Sequence, residues 1–538
     1  MVGLWANADV SVELLLKPRG IRSVDVRVND RLTTVGLGES GVQRVSAAGS
    51  ADGNGVLTIA VVATERGRGQ LPVDALHVRQ GGAPNIPIGR WVLYLAWIAL
   101  AGTWGYWAGQ GRGAAGGLLA AGALVAAGVA MFRLQTLLFL PWAVLLLVLA
   151  LLVAALASAG MHMPRNAAAL VCLVLFFRSA AFLQPAFPAI DAAFHAENRI
   201  RFEAGEVIQS ASPGPERGGM AVPYPTVFYA LLAPFSSISW PTDQFLVRLA
   251  MALLEGTIPL LVYAIMRGAG ASEATSAYGA AVQAAMPEAV LVLGKGIAAN
   301  ITGGWMSLLT VLGIVRALSP LTATGLLTLT LLSHLAAGVT FLLFLLLWSA
   351  HGLFRRGWGW RRGLTVLLPA CAAIVLAWLF YYREVQDTAA AAAGSISQHL
   401  LARDFFGVRW YRVGKLAQDL ALKFGVTPLV LAWTGLRAAP TADRLKALLV
   451  PWFVTGGLVG LLALFSPLPL RFEYFLVPAV AMAAGLGSEH MSRPWRVAGV
   501  ALPLLLQVTL AAFLLARRFY LISVILESPR WPFPFRIL

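Results

Sequence analysis

Charged residues are scarce in this chain. Asp, Glu, Lys and Arg make up 12% of its 538 residues, and hydrophobic residues make up 58%. A soluble domain carries roughly 25% charged residues. From residue 90 onward, apolar runs recur that reach the length of about 20 residues needed to span a bilayer. The scarcity of charge therefore excludes an ordinary soluble domain and predicts an integral membrane protein.

Cysteine is nearly absent, and acidic residues are in the minority. The two cysteines, Cys172 and Cys371, lie inside apolar runs, which excludes a disulfide framework, a thiolate zinc site and a CxxC redox motif. Lys and Arg number 41 against 25 Asp and Glu, for a net charge of +16. Because the basic residues are scattered between apolar runs and not clustered on one soluble face, nucleic acid is not expected as a partner.

The first 88 residues differ from the rest. Segments such as Val24-Asp-Val-Arg-Val alternate β-branched and polar residues, and turns such as Gly49–Gly55 separate them. This pattern predicts a small N-terminal β-sandwich domain over residues 1–88. Its role is accessory or glycan-binding, and the sequence leaves both open.

The remainder reads as a polytopic α-helical membrane protein with about fourteen transmembrane helices. Residues 89–165 contain three additional spans, at 90–109, 114–132 and 136–158. A core over residues 166–515 contains the others, with loops at 185–240 and 382–415, and a tail covers residues 516–538. The predicted core spans are 166–184, 241–266, 273–291, 298–316, 321–334, 337–353, 362–381, 416–437, 444–466, 470–487 and 495–515. The region 321–353 is one long helix or two short ones, and Ser333-His334 near its middle favours a break.

The short loops predict the orientation. Most of their basic residues fall on one side of the predicted bundle, among them Arg267, Arg316, Arg437, Arg444 and Arg496. Positively charged short loops stay in the cytoplasm. We therefore expect a multi-pass protein of the cell (plasma or inner) membrane whose β-domain, two long loops and C-terminal tail (516–538) are extracytoplasmic.

The first long loop contains the densest group of reactive side chains. Asp191 and His195 are four residues apart and share a face if the segment is helical, and Glu197 and Arg199 follow. A carboxylate at the bilayer surface can act as a general base. Asp191 and His195 are two possible ligands for a divalent metal, which is too few to favour a metal site. No cofactor is expected.

Aromatic and basic residues follow this loop. Tyr224-Pro-Thr-Val-Phe-Tyr229 predicts a short interfacial helix, because proline is tolerated at a helix start. Arg248 lies near the outer end of the next span. A lone arginine there is a snorkelling residue or a phosphate ligand.

This order of elements resembles the GT-C superfamily of polytopic glycosyltransferases, which includes protein O-mannosyltransferases and lipid A aminoarabinose transferases. Later segments are similar too: Ala285-Met-Pro-Glu288, Leu331-Leu-Ser-His-Leu-Ala-Ala-Gly338 and Ser466-Pro-Leu-Pro-Leu-Arg-Phe-Glu-Tyr-Phe-Leu-Val-Pro478. The resemblance covers residues 166–515. The sequence departs from the family where a single Asp191 replaces an acidic pair and where His334 replaces a lysine.

The resemblance implies sugar transfer on the extracytoplasmic face from a polyprenyl-phosphate-linked donor to a hydroxyl of a glycan, lipid or protein acceptor. Asp191 would be the general base of an inverting reaction, and cationic side chains would hold the leaving phosphate. The substrate-binding residues would be His195, Glu197, Arg199, Tyr224, Arg248, His334, Arg471 and Tyr474. Membrane lipids are the other expected partners.

Two other functions remain open. A flippase for a lipid-linked sugar would suit a chain with this many spans, but it requires charged residues along a passage open to both faces. A non-catalytic scaffold that presents the β-domain would leave the two polar loops without a role.

Overall fold

A computed structural model describes residues 9–16, 23–29, 31–37, 43–50, 59–63, 73–80, 160–183, 187, 189, 191–203, 205, 209–211, 221–235, 243–317, 319–354, 360–385, 407–438, 443–465 and 472–519. The chain divides into two compact units, residues 1–151 and 152–538. The predicted spans 90–109, 114–132 and 136–158 lie outside the described residues, as do Arg471 and residues 520–538 of the predicted tail.

The first unit contains two three-stranded antiparallel sheets. The strands are β1 (Asp9–Leu16), β2 (Ser23–Val28), β3 (Arg31–Gly36), β4 (Gln43–Ser50), β5 (Ile59–Ala63) and β6 (Val73–Gln80). β1 lies between β4 and β6, and β2 lies between β3 and β5. This confirms the predicted N-terminal β region.

The alternation of apolar residues explains how the two sheets pack. Val12 and Leu14 of β1 and Val24 and Val26 of β2 are buried in one shared core, because successive side chains on a strand point to opposite faces. At Gly49 of β4, a Cβ atom would lie 2.4 Å from a methyl carbon of Val28. A glycine there lets the two sheets approach closely.

The second unit is mainly helical. Its helices are α1 (Arg165–Leu183), α2 (Ala192–Glu203), α3 (Val227–Leu232), α4 (Asp243–Gly268), α5 (Glu273–Ala285), α6 (Glu288–Lys295), α7 (Ala298–Val315), α8 (Pro320–Ser333), α9 (Leu335–Phe354), α10 (Trp360–Phe380), α11 (Gly407–Phe424), α12 (Val426–Ala438), α13 (Asp443–Phe465), α14 (Phe472–Gly487) and α15 (Arg493–Phe519). Short strands β7 (Gln209–Ala211) and β8 (Ala221–Pro223) pair between α2 and α3.

Seven helices of the described residues are long and apolar enough to cross a membrane, and the number is nine if each of two bent helix pairs is one span. This finding supports a multi-pass membrane protein. The break expected near Ser333-His334 is present, because α8 ends at Ser333 and α9 begins at Leu335.

Two predicted spans are bent. The span predicted at 273–291 consists of α5 and α6, which meet at 43° on either side of Met286 and Pro287. Proline removes a backbone hydrogen bond and favours such a break. The span predicted at 416–437 is wrong as a single helix, because α11 and α12 meet at 90°. Gly425 between them has φ +78°, the left-handed conformation that ends a helix.

The helix ends meet at two opposite ends of the bundle. At one end, Tyr278 donates a hydrogen bond of 2.7 Å to the carbonyl of Arg496, and Gly268 lies beside Val315 and Arg316. We call this the basic end; its arginines include Arg267, Arg316, Arg493 and Arg496. The opposite end contains the last turn of α1, the first turn of α4, helix α2 and the end of α6, and we call it the Asp191 end.

Candidate active site

Asp191 stands directly before the first residue of α2. Its carbonyl oxygen accepts the N–H of His195 at 2.9 Å, which closes the first turn of the helix. Its own N–H donates to the carbonyl oxygen of Lys295, at the end of α6, over 3.2 Å. An aspartate at a helix N-terminus is favoured by the helix dipole. The backbone of Asp191 is thus fixed between two helices, and its side chain is only partly buried.

Gly296 makes this close approach possible. It follows Lys295 with φ +73°, and a Cβ atom on it would lie 3.1 Å from the backbone nitrogens of both Asp191 and Ala192. A larger residue would be strained by its backbone conformation and would also push against the start of α2. The end of α6 therefore defines where Asp191 lies.

His195 lies on the inner side of α2 and is fully buried. Its Nδ1 and the hydroxyl of Tyr229 are 2.9 Å apart and hydrogen-bonded. Rings of Phe194, Tyr224, Phe228 and Tyr229 surround it at centroid distances of 5.4–6.0 Å. Burial lowers the pKa of His195 from 6.5 to about 4, although the main chain of Gly296 acts in the opposite direction. The imidazole is therefore neutral at physiological pH.

Tyr229, which is hydrogen-bonded to His195, is held in neutral form. Burial, the largest cause, and the neighbouring Tyr224 raise the pKa of Tyr229, while the nearby side chain of Asn198 acts in the opposite direction. Tyr381 donates a hydrogen bond to the main-chain carbonyl of Tyr224. The residue after α10 is thereby tied to the segment that precedes α3.

The other predicted residues of α2, Glu197 and Arg199, differ from His195 in their exposure and contacts. Glu197 is exposed. Arg199 is largely buried and forms a 2.6 Å ion pair with Glu203, one helical turn later. Glu203 is thus the partner of a predicted substrate-binding arginine.

Arg248 joins the ends of two spans. Its Nη1 donates to the carbonyl oxygen of Phe182 in the last turn of α1, at 3.1 Å, and its guanidinium lies 5.6 Å from the centre of the Phe182 ring. The last carbonyls of a helix have no partner within the helix. Arg248 therefore supplies a hydrogen bond to the carbonyl of Phe182, which the hydrocarbon of a membrane could not provide.

His334 caps the start of α9. Its backbone is extended, and its Nδ1 accepts the N–H of Ala337 at 3.1 Å. A neutral His334 in this arrangement carries its proton on Nε2, which is a hydrogen-bond donor. Tyr382, next to Tyr381, donates to the carbonyl of Leu331 at 2.8 Å. The tyrosine pair thus joins the end of α8, close to His334, to Tyr224.

Tyr474 belongs to a buried polar group that the sequence analysis missed. Its hydroxyl donates to Glu255 at 2.5 Å, and Glu255 also pairs with Arg178, whose Nη1 is 3.7 Å from the carboxylate. Arg178 and Glu255 are each 1% exposed. An ionisable residue within an apolar run is itself a signal of a functional or structural site, and Arg178 and Glu255 both carried that signal.

Arg178 also donates hydrogen bonds to carbonyl groups at the break between α5 and α6. Its Nη2 donates to the carbonyl oxygens of Ala284 and Met286 at 2.5 Å and 3.3 Å. The side chain of Gln507 donates to the same Met286 carbonyl at 3.3 Å. Because Pro287 interrupts the helix, these carbonyls lack intrahelical partners, and the two long side chains replace them.

The predicted residues thus fall into three groups. Asp191, His195 and Tyr224 come together at α2 and α3. Arg248 and His334 lie at helix ends of the same Asp191 end, and Tyr474 is inside the bundle. Within the described part of the chain, no three His, Cys, Asp or Glu side chains are grouped so that they could hold a metal ion. The chain matches no protein-family model and no curated protein.

Proposed function

We propose that this protein is a membrane glycosyltransferase that moves a sugar from a polyprenyl-phosphate carrier to an acceptor hydroxyl at the Asp191 end. The observation that carries the proposal is the placement of Asp191. Its backbone is fixed by Lys295 and by close contact with Gly296, yet its side chain is partly exposed. A positioned carboxylate beside a membrane is suited to general-base catalysis. The reaction class comes from the resemblance to GT-C enzymes.

In the proposed reaction, Asp191 accepts the proton of the acceptor hydroxyl. The hydroxyl oxygen forms a bond to the anomeric carbon of the sugar, and the bond from that carbon to the phosphate oxygen breaks. The phosphate leaves with the bonding electron pair, and the configuration at the anomeric carbon inverts. The acceptor is a glycan, a lipid or a protein.

The leaving phosphate requires hydrogen-bond donors and positive charge. Arg248, Arg471 and the Nε2–H of His334 are the proposed donors. His195 is assigned a different role, because its buried imidazole is neutral. It supports α2 from below through Tyr229 and thereby helps to hold Asp191 in place.

The decisive variant is Asp191→Asn, assayed as purified protein in proteoliposomes with a radiolabelled polyprenyl-phosphate sugar. Loss of a general base costs about 10²–10⁴ in rate, so we expect transfer to fall at least about 100-fold. The matched control is Glu273→Gln, which neutralises an exposed carboxylate in the first turn of α5. Full transfer by Asp191→Asn would exclude Asp191 as the base.

A flippase for a lipid-linked sugar is the second candidate, and the buried Arg178–Glu255 pair is the observation that favours it. Charges inside a membrane bundle often mark a transport path. This pair, however, is almost wholly enclosed. In the same proteoliposomes, a flippase would move the labelled lipid between leaflets without forming any glycosylated product.

A further inference from the structure

A small cavity lies inside the bundle beside the Arg178–Glu255–Tyr474 group. It is bounded by residues of α4, α5, α7, α13 and α14, most of them apolar, and its volume is about 20 Å³. Three polar side chains line it: Gln283, Ser307 and Tyr474. A cavity needs roughly 10–15 Å³ and two to four polar partners to hold one water molecule.

Gln283 gives the cavity its polar character. The side chain is 2% exposed, and its Oε1 has no hydrogen-bond partner among the described residues. A buried carbonyl oxygen without a partner costs about 1–3 kcal/mol. An oxygen at the wall of a cavity of this size is therefore expected to have a ligand there.

The other two polar groups also present acceptors to the cavity. The hydroxyl of Ser307 donates to the carbonyl oxygen of Gly303 at 2.7 Å, and that of Tyr474 donates to Glu255 at 2.5 Å. Their protons are thus engaged, and their lone pairs remain to accept. The cavity calls for a small ligand with two donors.

We infer that this cavity is a binding site for one structural water molecule, which donates hydrogen bonds to Gln283 of α5 and Ser307 of α7. The water joins α7 to α5, to which Arg178 is already hydrogen-bonded through the carbonyl oxygen of Ala284. It thereby connects five helices through hydrogen bonds in a part of the protein where the bilayer offers none. This inference is independent of the proposed glycosyltransferase activity.

Thermal unfolding of the full-length protein in detergent tests the site through Gln283→Met, Ser307→Ala and the double variant. Methionine is close to glutamine in volume, and alanine is the better helix former, so without a bound water both changes should leave the apparent Tm unchanged or raise it. With a shared water, each single change lowers it by about 2–4 °C. The double variant then loses less than the sum, because both changes remove the same ligand.

The matched control is Ser349→Ala, at a buried hydroxyl of α9 whose oxygen has no partner among the described residues and which does not line the cavity. This change should not lower the apparent Tm. Strictly additive losses, or a higher apparent Tm for Gln283→Met, would overturn the inference.

A map of the unaltered protein at a resolution that shows waters provides a second test. We expect a peak about 2.7–3.2 Å from Gln283 Oε1 and at a similar distance from the hydroxyl of Ser307. A well-ordered Gln283 with no peak in the cavity would refute the site, whatever the variants do.

Discussion

At the scale of single residues, the charge state of His195 follows from its surroundings. It is fully buried among aromatic rings, and its pKa is lowered from 6.5 to about 4. In the unfolded chain His195 binds a proton below about pH 6.5, whereas in the folded chain it does so only near pH 4. His195 therefore contributes its full stabilisation of the fold above pH 6.5. That contribution is lost as the pH falls to about 4.

The stability of the protein should therefore depend on His195 in acid. Between pH 6.5 and 4, the free energy of unfolding of the unaltered protein should fall by on the order of 3 kcal/mol more than that of the His195→Gln variant. Glutamine retains a group that can accept the Tyr229 hydroxyl. The measurement is the apparent Tm of both proteins as a function of pH. The other titratable groups are the same in both proteins, so the difference between the two curves reports on His195. Parallel curves would contradict the assignment.

The sequence presents some of these residues and hides others. Asp191 and His195 are visible because they are neighbours in the chain and interrupt an apolar pattern. The contact of Tyr474 with Glu255 is not visible, because 219 residues separate them and only the packing of α4 against α14 brings them together. The neutral state of His195 also depends on Phe228 and Tyr229, which the sequence placed on a different segment.

At the scale of helices, the junction between α6 and α2 controls where Asp191 lies. Replacing Gly296 by alanine imposes a side chain on a left-handed residue and places a Cβ atom 3.1 Å from two backbone nitrogens of α2. We expect Gly296→Ala to lower the transfer rate at least about 10-fold, since small displacements of a catalytic group cost about 100-fold.

Gly270→Ala is the control for Gly296→Ala. Gly270 is also left-handed, with φ +89°, but no atom would lie within 4 Å of its Cβ. The Gly270→Ala variant should therefore lose stability through backbone strain alone and keep its transfer rate unchanged. Equal losses of transfer activity in the two variants would mean that the contact with α2 does not matter.

Small residues also determine how α12 packs against α14. A Cβ atom on Gly435 would lie 2.0 Å from the carbonyl oxygen of Ala483 and 2.6 Å from the nitrogen of Gly487. Small residues allow such close backbone approach in membrane helix pairs. Gly435→Ala should therefore destabilise the protein by about 1–3 kcal/mol, the usual cost of overpacking.

The matched variant is Gly457→Ala in α13, where no atom would lie within 4 Å of the new Cβ. Alanine favours a helix over glycine by about 1 kcal/mol, so this change should leave stability equal or higher. The measurement is the apparent Tm of the Gly435→Ala and Gly457→Ala variants. A stable Gly435→Ala protein would show that α12 and α14 move apart at little cost.

Element boundaries were predictable where proline or a polar pair marks them, and bends were not. The break at Ser333-His334 was expected from its polarity. The 90° bend at Gly425 was not, because a single glycine in an apolar run is compatible with a continuous span, and the bend depends on the packing of Phe424 and Pro503 around it. The break at Pro287 depends likewise on Arg178 and Gln507, which stabilise the exposed carbonyls.

At the scale of the molecule, the basic and Asp191 ends give the bundle a direction. Arg267, Arg316 and Arg496 come from distant parts of the sequence and lie at the basic end, where Tyr278 contacts Arg496 and Thr275 contacts Glu489. Counting spans predicted this clustering, because helices that cross a membrane alternate in direction. The number of spans among the described residues depends on whether the bent pairs α5 with α6 and α11 with α12 are each counted as one span.

The positive-inside rule then predicts which end faces the cytoplasm. In a protein whose Cys172 and Cys371 are replaced by alanine, one new cysteine can be placed at each end of the bundle. Ala193→Cys in α2 is at the Asp191 end and Ala274→Cys in α5 is at the basic end, and both positions are exposed. A membrane-impermeant maleimide added to intact cells should label Ala193→Cys and leave Ala274→Cys unlabelled. After detergent lysis both should react, which controls for the reactivity of each thiol. Labelling of Ala274→Cys alone in intact cells would place Asp191 on the cytoplasmic side, where an extracytoplasmic transfer reaction could not use it.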